Sequence, residues 1–214
     1  MNRMFAMLCA CALVLGGCMN TTRTRFTTHY TLGEPAPAIA SARHGQKVLR
    51  ISRISVPPWL EGTTMHYRLD YRHDNRLAAY GRSDWIAPPA TMLEDLIRNT
   101  IAAGDNWRAV IGAGSTATAD ADLHLQLENF SQVFAQPDQS AGLIEATATL
   151  VDDGDGSVMA QKHFRVEIAA PTPDAQGGAK ALGEASRQFA TQLERWLGTA
   201  VENQSVRMNQ RSQP

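Results

Sequence analysis

Cys18, with its reactive thiol, directly follows a segment whose residue types occur in the order of a secretory signal. Arg3 gives the segment a positive start, an unbroken apolar run extends from Met4 to Leu15, and Gly16-Gly17 leads into the cysteine. This order of positive, apolar and small residues is typical of a signal that is removed from the mature chain. The apolar run is also shorter than the about 20 residues that a membrane-spanning helix needs. A cysteine in this position is a candidate for covalent modification.

The run Leu15-Gly16-Gly17-Cys18 resembles the bacterial lipobox, at which the cysteine receives lipid and becomes the first residue of the mature chain. The alternative is an ordinary cleaved signal, which would leave Cys18 as a free thiol in an oxidising compartment. Thioether-linked diacylglycerol with an N-acyl chain supplies more than the two anchors that stable membrane attachment requires. We therefore expect lipidation of Cys18, which would tether the mature protein to a membrane without crossing it.

The residue after the cysteine bears on localisation. In the enterobacterial sorting scheme that the lipobox implies, an Asp there favours the inner membrane, so Met19 points to the outer membrane. Residues 20–25 are polar and rich in threonine, so residues 18–25 are expected to form the lipidated N-terminus and a flexible spacer. Cys9 and Cys11 lie within the signal, so no disulfide framework is expected in the mature fold.

The composition limits the classes of function that the chain could have. Removal of residues 1–17 leaves 197 of the 214 residues, enough for one domain with a real core. The formal net charge of the whole chain is −1, so there is no basic excess to bind nucleic acid. We predict one domain over residues 26–203, followed by a disordered tail at 204–214.

The residues most able to do chemistry do not form a recognised catalytic or metal-binding pattern. The six histidines, at positions 29, 44, 66, 73, 124 and 163, include no H-E-x-x-H motif. A nucleophile elbow of the G-x-S-x-G type and a P-loop are likewise missing from the sequence. His66 and His124 fall on the polar positions of alternating segments, which favours a solvated face over a proton relay. We expect no enzymatic activity, cofactor or metal.

Two glycine-containing segments imitate ligand-binding motifs. The segment at 112–117 matches G-x-G-x-x-A, but an alternating segment that predicts a strand follows it, whereas the dinucleotide fingerprint must open a helix. The segment at 152–156 suggests a calcium loop, but counted from Asp153 the EF-hand template requires Gly at position six and Glu at position twelve, where the chain has Val158 and Phe164. Its Asp-Gly pairs are typical of a hairpin turn instead.

Hydrophobic periodicity predicts the secondary structure. Strands are expected at 26–32, 47–56, 65–71, 77–85, 107–111, 121–130, 144–150 and 164–168, and amphipathic helices at 88–103 and 179–202. The apolar residues of 47–56 change parity, which requires a bulge near Ser52-Arg53. The first helix begins either at Pro88-Pro89 or at the capping box Thr91-x-x-Glu94.

These elements predict an α+β fold. A mostly antiparallel twisted sheet of about six to eight strands would carry both helices on one face, and its last three strands would form a meander. If the first helix is instead a crossover between parallel strands, the sheet would be mixed.

Several of these segments together resemble a known family. The run Leu49-x-Ile51-x-x-Ile54-x-Val56-Pro57-x-Trp59-Leu60, with Tyr30-Thr31-Leu32 before it and Asp84-Trp85-Ile86-Ala87-Pro88-Pro89 after it, is similar to the ABC-type transport auxiliary lipoproteins. That family includes the paraquat-inducible protein C-like lipoproteins, which accompany MCE-domain (mammalian cell entry) intermembrane lipid transport systems. The resemblance implies a periplasm-facing lipoprotein whose partners are an MCE-domain protein and the permease and ATPase subunits of the transporter.

Within the resemblance, the turn Pro57-Pro58-Trp59-Leu60 is our candidate for partner contact, because an aromatic residue beside two prolines suits an exposed docking loop. A sheet edge that accepts a strand is the alternative docking site, and a homo-oligomer is also possible. The four tryptophans, with Met65 and Met92, line either a lipid-contacting groove or the core, and core packing is favoured.

Two other functions remain as alternatives. A structural or assembly lipoprotein would co-purify with cell-wall or secretion components, and its deletion would cause no permeability defect. A lipid-anchored hydrolase would lose activity on removal of a single Ser, His or Asp.

Overall fold

The computed structural model describes residues 26–33 and 45–211, with side chains described as far as Glu202. The signal 1–17, the lipobox residues Leu15, Gly16 and Gly17, and Cys18 with its spacer lie outside these ranges. Their roles and the predicted domain limits therefore stay predictions.

The described residues form one eight-stranded sheet and two α-helices. The strands are β1 (Thr28–Tyr30), β2 (Val48–Ile51), β3 (Thr64–Leu69), β4 (Leu77–Trp85), β5 (Ala109–Gly112), β6 (Ala121–Gln136), β7 (Gln139–Asp152) and β8 (Val158–Ala169). The helices are α1 (Pro89–Ala103) and α2 (Ala175–Arg211).

The long strand β6 is the centre of the sheet. On one side β7 pairs with β6 and β8 with β7, both antiparallel, which confirms the predicted meander. On the other side β2 runs parallel to the beginning of β6 and β3 runs parallel to its residues 132–134. β5 continues the sheet from β2, while β4 and then β1 continue it from β3. The fold is α+β as predicted, and the sheet is mixed, with four parallel and three antiparallel pairings among the described strands.

The bulge predicted near Ser52-Arg53 is present. The Ser52 N–H donates to the carbonyl of Leu123 (3.0 Å) and the Ser55 N–H to the carbonyl of Leu125 (2.9 Å). Three residues of one segment therefore match two of β6, which is the one-residue excess of a bulge. Ile54 is consequently buried in the same core as Leu49 and Ile51 of β2, despite its different parity.

The meander strands are longer than the predicted 121–130, 144–150 and 164–168. In β6, a register shift between Leu127 and Asn129 reverses the parity. The residues beyond it include Asn129, Ser131 and Gln132, which are polar but buried. The alternation of apolar and polar residues that marks a strand in the sequence is lost there.

Each helix begins where a proline or an aspartate ends the preceding segment. Pro88 occupies the cap of α1 and Pro89 its first position, so the proline pair starts the helix and the capping box does not. α2 begins earlier than the predicted residue 179, because Asp174 accepts a hydrogen bond from the Gly177 N–H (2.7 Å). Hydrogen bonds of this kind hold the pKa of Asp174 below its usual range. The backbone of α2 also continues beyond the predicted residue 202.

One hydrophobic core joins both helices to the sheet. Trp85 and Trp107 are fully buried, as is Met65, which confirms core packing for these three side chains. Trp59, Trp196 and Met92 are partly buried at the margin of the core. Neither helix in the described part of the chain is long and apolar enough to span a bilayer.

Candidate functional site

The predicted docking turn lies between β2 and β3, where both follow the same edge of β6. Pro58–Leu60 form one turn of 3₁₀ helix, closed by a hydrogen bond from the Leu60 N–H to the Pro57 carbonyl (2.9 Å). Leu60 is 1% exposed, whereas Pro58 is exposed and Pro57 and Trp59 are half-buried. One buried leucine therefore anchors a short turn whose other side chains reach the surface.

The indole of Trp59 forms one wall of a shallow groove of about 370 Å³. Beneath it, the ring of His66 meets the indole edge to face, with ring centroids 5.4 Å apart and an interplanar angle of 87°. The groove is lined by Ser55, Val56, Pro57, Trp59, Gln126, Leu127 and Glu128. Glu128 adds a carboxylate at the rim, 3.3 Å from the imidazole of His163. The groove thus combines an aromatic wall with a polar rim, which is a common composition of protein contact surfaces.

The position of His66 differs from its prediction. It was expected on a solvated face, but it packs against Trp59 and is half-buried, with no hydrogen-bond partner for Nδ1 in the described residues. Burial lowers the pKa of His66, because desolvation disfavours the imidazolium form. His124, which was predicted on the same basis, is exposed.

A larger concavity of about 480 Å³ lies between α1, α2 and the segment that follows β1. Its apolar walls include Ile86, whose side chain is 60% exposed. Arg187 lies on its margin and donates to the carbonyl of Leu32 (3.1 Å). Of the side chains weighed for a lipid-contacting groove, Met92 lines this concavity. Sequence reasoning missed the site because its walls come from elements far apart in the chain.

A polar cluster on the sheet face opposite the helices was also not predicted. The Ser131 hydroxyl donates to Asn129 (2.7 Å), and the Asn129 amide donates to Glu145 (3.2 Å). Arg165 on β8 completes the cluster by pairing with both Glu145 and Glu167. These residues are widely spaced in sequence, and only the register of β6, β7 and β8 brings them together.

Within residues 26–33 and 45–211, no group of three or more His, Cys, Asp or Glu side chains is placed to hold a metal ion. The described residues form three surfaces on which another molecule could bind: the turn, the concavity and the polar face.

Solved structures with related folds are known. A protein from Xanthomonas campestris is 23% identical, with a TM-score of 0.68 over 84% of this chain and 96% of its own. An uncharacterised protein is 16% identical, with a TM-score of 0.63 over 80% of this chain and 99% of its own. At these identities the likeness concerns the fold. No curated protein matches the chain.

The family is given by a second comparison. The model of the family described as ABC-type transport auxiliary lipoprotein component matches residues 30–194. This range begins in β1, includes the Pro57–Leu60 turn and both grooves, and ends within α2. It covers more than half of the chain and nearly all of the described fold. The chain therefore belongs to the ABC-type transport auxiliary lipoprotein component family.

Proposed function

We propose that this protein is a non-enzymatic accessory subunit of an MCE-linked ABC-type transport system, held by lipid on Cys18 and facing the periplasm. The family match over residues 30–194 is the observation that supports it most. In this role the lipid fixes one end of the assembly to a membrane, the outer membrane in our proposal. The folded body binds the MCE-domain subunit and supports the movement of lipids or other hydrophobic molecules.

The turn Pro57–Leu60 is the proposed contact with the MCE-domain subunit. Its two prolines restrict the backbone, so little conformational entropy is lost on binding. Leu60 is buried and holds the turn against the core, while Trp59 presents part of its indole beside the groove. Tryptophans in such positions often carry a large share of the binding free energy of an interface.

The contact is tested by co-purification of the MCE-domain subunit with the tagged, full-length protein from solubilised envelopes. Trp59→Ala is expected to weaken the interaction roughly tenfold or more, because loss of a central interface tryptophan costs about 2 kcal/mol or more. Pro58→Asp, at an exposed position, is expected to weaken it by adding a charge without disturbing the core. Val158→Ala is the matched control, since Val158 is 63% exposed but lies at the start of β8, away from the turn.

The outcomes separate the proposals from each other. Retention of the MCE-domain subunit by both turn variants would refute docking through this turn and leave the accessory role open. If the unmodified protein instead co-purifies with cell-wall or secretion components and never with transport subunits, the assembly-lipoprotein alternative is favoured.

A further inference from the structure

The outer edge of β8 is an unpaired strand edge in the described part of the chain. β8 spans 12 residues and pairs along one side with β7. No other strand of the described residues pairs with its second side. Long open edges of this kind readily accept another strand, and most proteins protect them with charges or coverage.

The hydrogen-bond pattern identifies the backbone groups that point out of the edge. The Ala170 N–H donates to the carbonyl of Ser140 (2.8 Å), so this opposite pair is of the hydrogen-bonded type. Hydrogen-bonded and non-hydrogen-bonded pairs alternate along an antiparallel ladder. Even-numbered residues of β8 therefore bond to β7, while the N–H and C=O groups of Gln161, His163, Arg165 and Glu167 point toward the open side.

The side chains of β8 determine which half of this edge could pair with another strand. Lys162 lies on the helix-covered side of β8, with its ammonium 4.8 Å from the centroid of the Phe164 ring. A lysine on the inward side of an edge strand is a known protection against pairing. No charged side chain occupies the inward side of β8 beyond it, at Phe164, Val166 and Ile168. A second strand would therefore pair with the carboxyl-terminal half of β8.

Charge selects the register for a second copy of this chain. Arg165 and Glu167 are 50% and 47% exposed on the sheet face opposite the helices. A two-fold axis at residue 165 would place Arg165 against itself, and an axis at residue 164 would place it against His163. An axis at Val166 places Arg165 of each copy opposite Glu167 of the other, because a two-fold interface pairs residue i with j and j with i. The same axis brings Phe164 opposite Ile168 and Val166 opposite itself.

We propose that two copies of this chain associate by antiparallel β8–β8 pairing about a two-fold axis at Val166, which joins their sheets into one. Two reciprocal Arg165–Glu167 contacts fix the register, and opposite charges on directly facing residues stabilise a strand pair. This association is independent of the docking role proposed above, since it uses the far edge of the meander.

Complementary charge reversals test the register. The full-length protein in mild detergent is sized by light scattering. Arg165→Glu and Glu167→Arg each place like charges at both contacts, so each variant alone is expected to raise the dimer dissociation constant roughly tenfold or more. Mixing the two variants restores opposite charges at both contacts and is expected to recover a mixed dimer. A monomeric parent protein, single variants that dimerise like the parent, or a mixture that stays monomeric would each overturn the proposal.

A cysteine scan tests the axis in cells without changing any charge. Val166 of the two copies forms a non-hydrogen-bonded pair with Cα atoms about 4.5 Å apart, within disulfide range. Val166→Cys is therefore expected to give a covalent dimer on oxidation. Val158→Cys is more exposed, but its two copies would lie roughly 50 Å apart and should not cross-link. Cys18 is present in both variants, so any bond through it appears in both. Absence of a dimer with Val166→Cys, or equal cross-linking through Val158→Cys, contradicts the model.

Discussion

At the scale of single residues, His66 shows what the alternation of polar and apolar residues along a strand can and cannot predict. The alternation of β3 predicts which side of the strand each residue occupies, and His66 does lie on the less apolar side. The 3₁₀ turn places Trp59 in contact with its ring, and the imidazole is half-buried although its parity marks it as exposed. The direction of this turn depends on the tertiary contacts of the buried Leu60. Such contacts cannot be read from the alternation pattern.

The lowered pKa of His66 predicts a pH dependence of stability. An imidazole whose pKa is lower in the folded state binds fewer protons when folded, so the free energy of unfolding falls as the pH decreases below the unfolded pKa near 6.5. The fall levels off below the folded pKa, where both states are protonated. We expect His66→Gln to lose less stability than the parent between pH 7 and pH 5, measured as the shift of the urea midpoint.

Val158→Ala provides the control for this experiment. It changes an exposed side chain that has no ionisable group, so the pH-dependent shift should stay close to that of the parent. An unchanged shift in His66→Gln would mean that burial beneath Trp59 does not disfavour its protonation.

At the scale of elements, periodicity predicted the segments with one polar and one apolar face. Local patterns alone predicted three features: the bounds of β4, the antiparallel order of the three-strand meander, and the bulge after β2. The parallel pairing of β2 and β3 with β6 could not be predicted in this way, because the sequence of a strand does not specify which strand it pairs with. The second helix was predicted to begin at residue 179, yet Gly177 and Gly178 already lie in the first turns of α2. Thr172 and Gln132 approach these two positions too closely for a side chain there.

Gly178 gives a prediction in which close packing opposes helix propensity. A Cβ at Gly178 would lie 2.0 Å from Oε1 of Gln132. Gln132 is fully buried, and its amide accepts from the Tyr80 hydroxyl (2.8 Å) and donates to Ser140 (2.8 Å), so it cannot withdraw without losing these bonds. Gly178→Ala would gain about 1 kcal/mol from helix propensity, but we expect a net loss of about 1–3 kcal/mol from overpacking.

Denaturant unfolding of Gly178→Ala and Gly62→Ala measures this balance. Nothing lies within 4 Å of a Cβ at Gly62, so the control should change the free energy of unfolding little. A stabilised Gly178→Ala would show that α2 adjusts its distance from β6 at low cost.

At the scale of the whole molecule, the sheet separates the two proposed contact surfaces. The Pro57–Leu60 turn lies along one edge of β6, while β7 and β8 extend from the other. Three strand spacings, about 15 Å, therefore lie between the turn and the open edge of β8. One protein would be able to bind a transport partner and a second copy at once. The sequence located the turn and suggested a sheet edge as an alternative docking site. Which edge is open, and which residues line the two grooves, depend on the topology of the sheet and could not be predicted.

The last prediction concerns the attachment of this body to a membrane. If Cys18 carries lipid, metabolic labelling with an alkyne fatty acid should mark the full-length protein and should be abolished by Cys18→Ala. Met19→Asp keeps the cysteine, so it should retain the label but move the protein from the outer-membrane to the inner-membrane fraction under the sorting scheme described above. Labelling is the decisive measurement, since an unprocessed signal could hold the Cys18→Ala protein at a membrane through its apolar run alone. Label that persists in Cys18→Ala would place the lipid elsewhere, and absence of label from the unmodified protein would favour an ordinary cleavage site at Leu15-Gly16-Gly17-Cys18. Unchanged fractionation of Met19→Asp would contradict only the outer-membrane assignment.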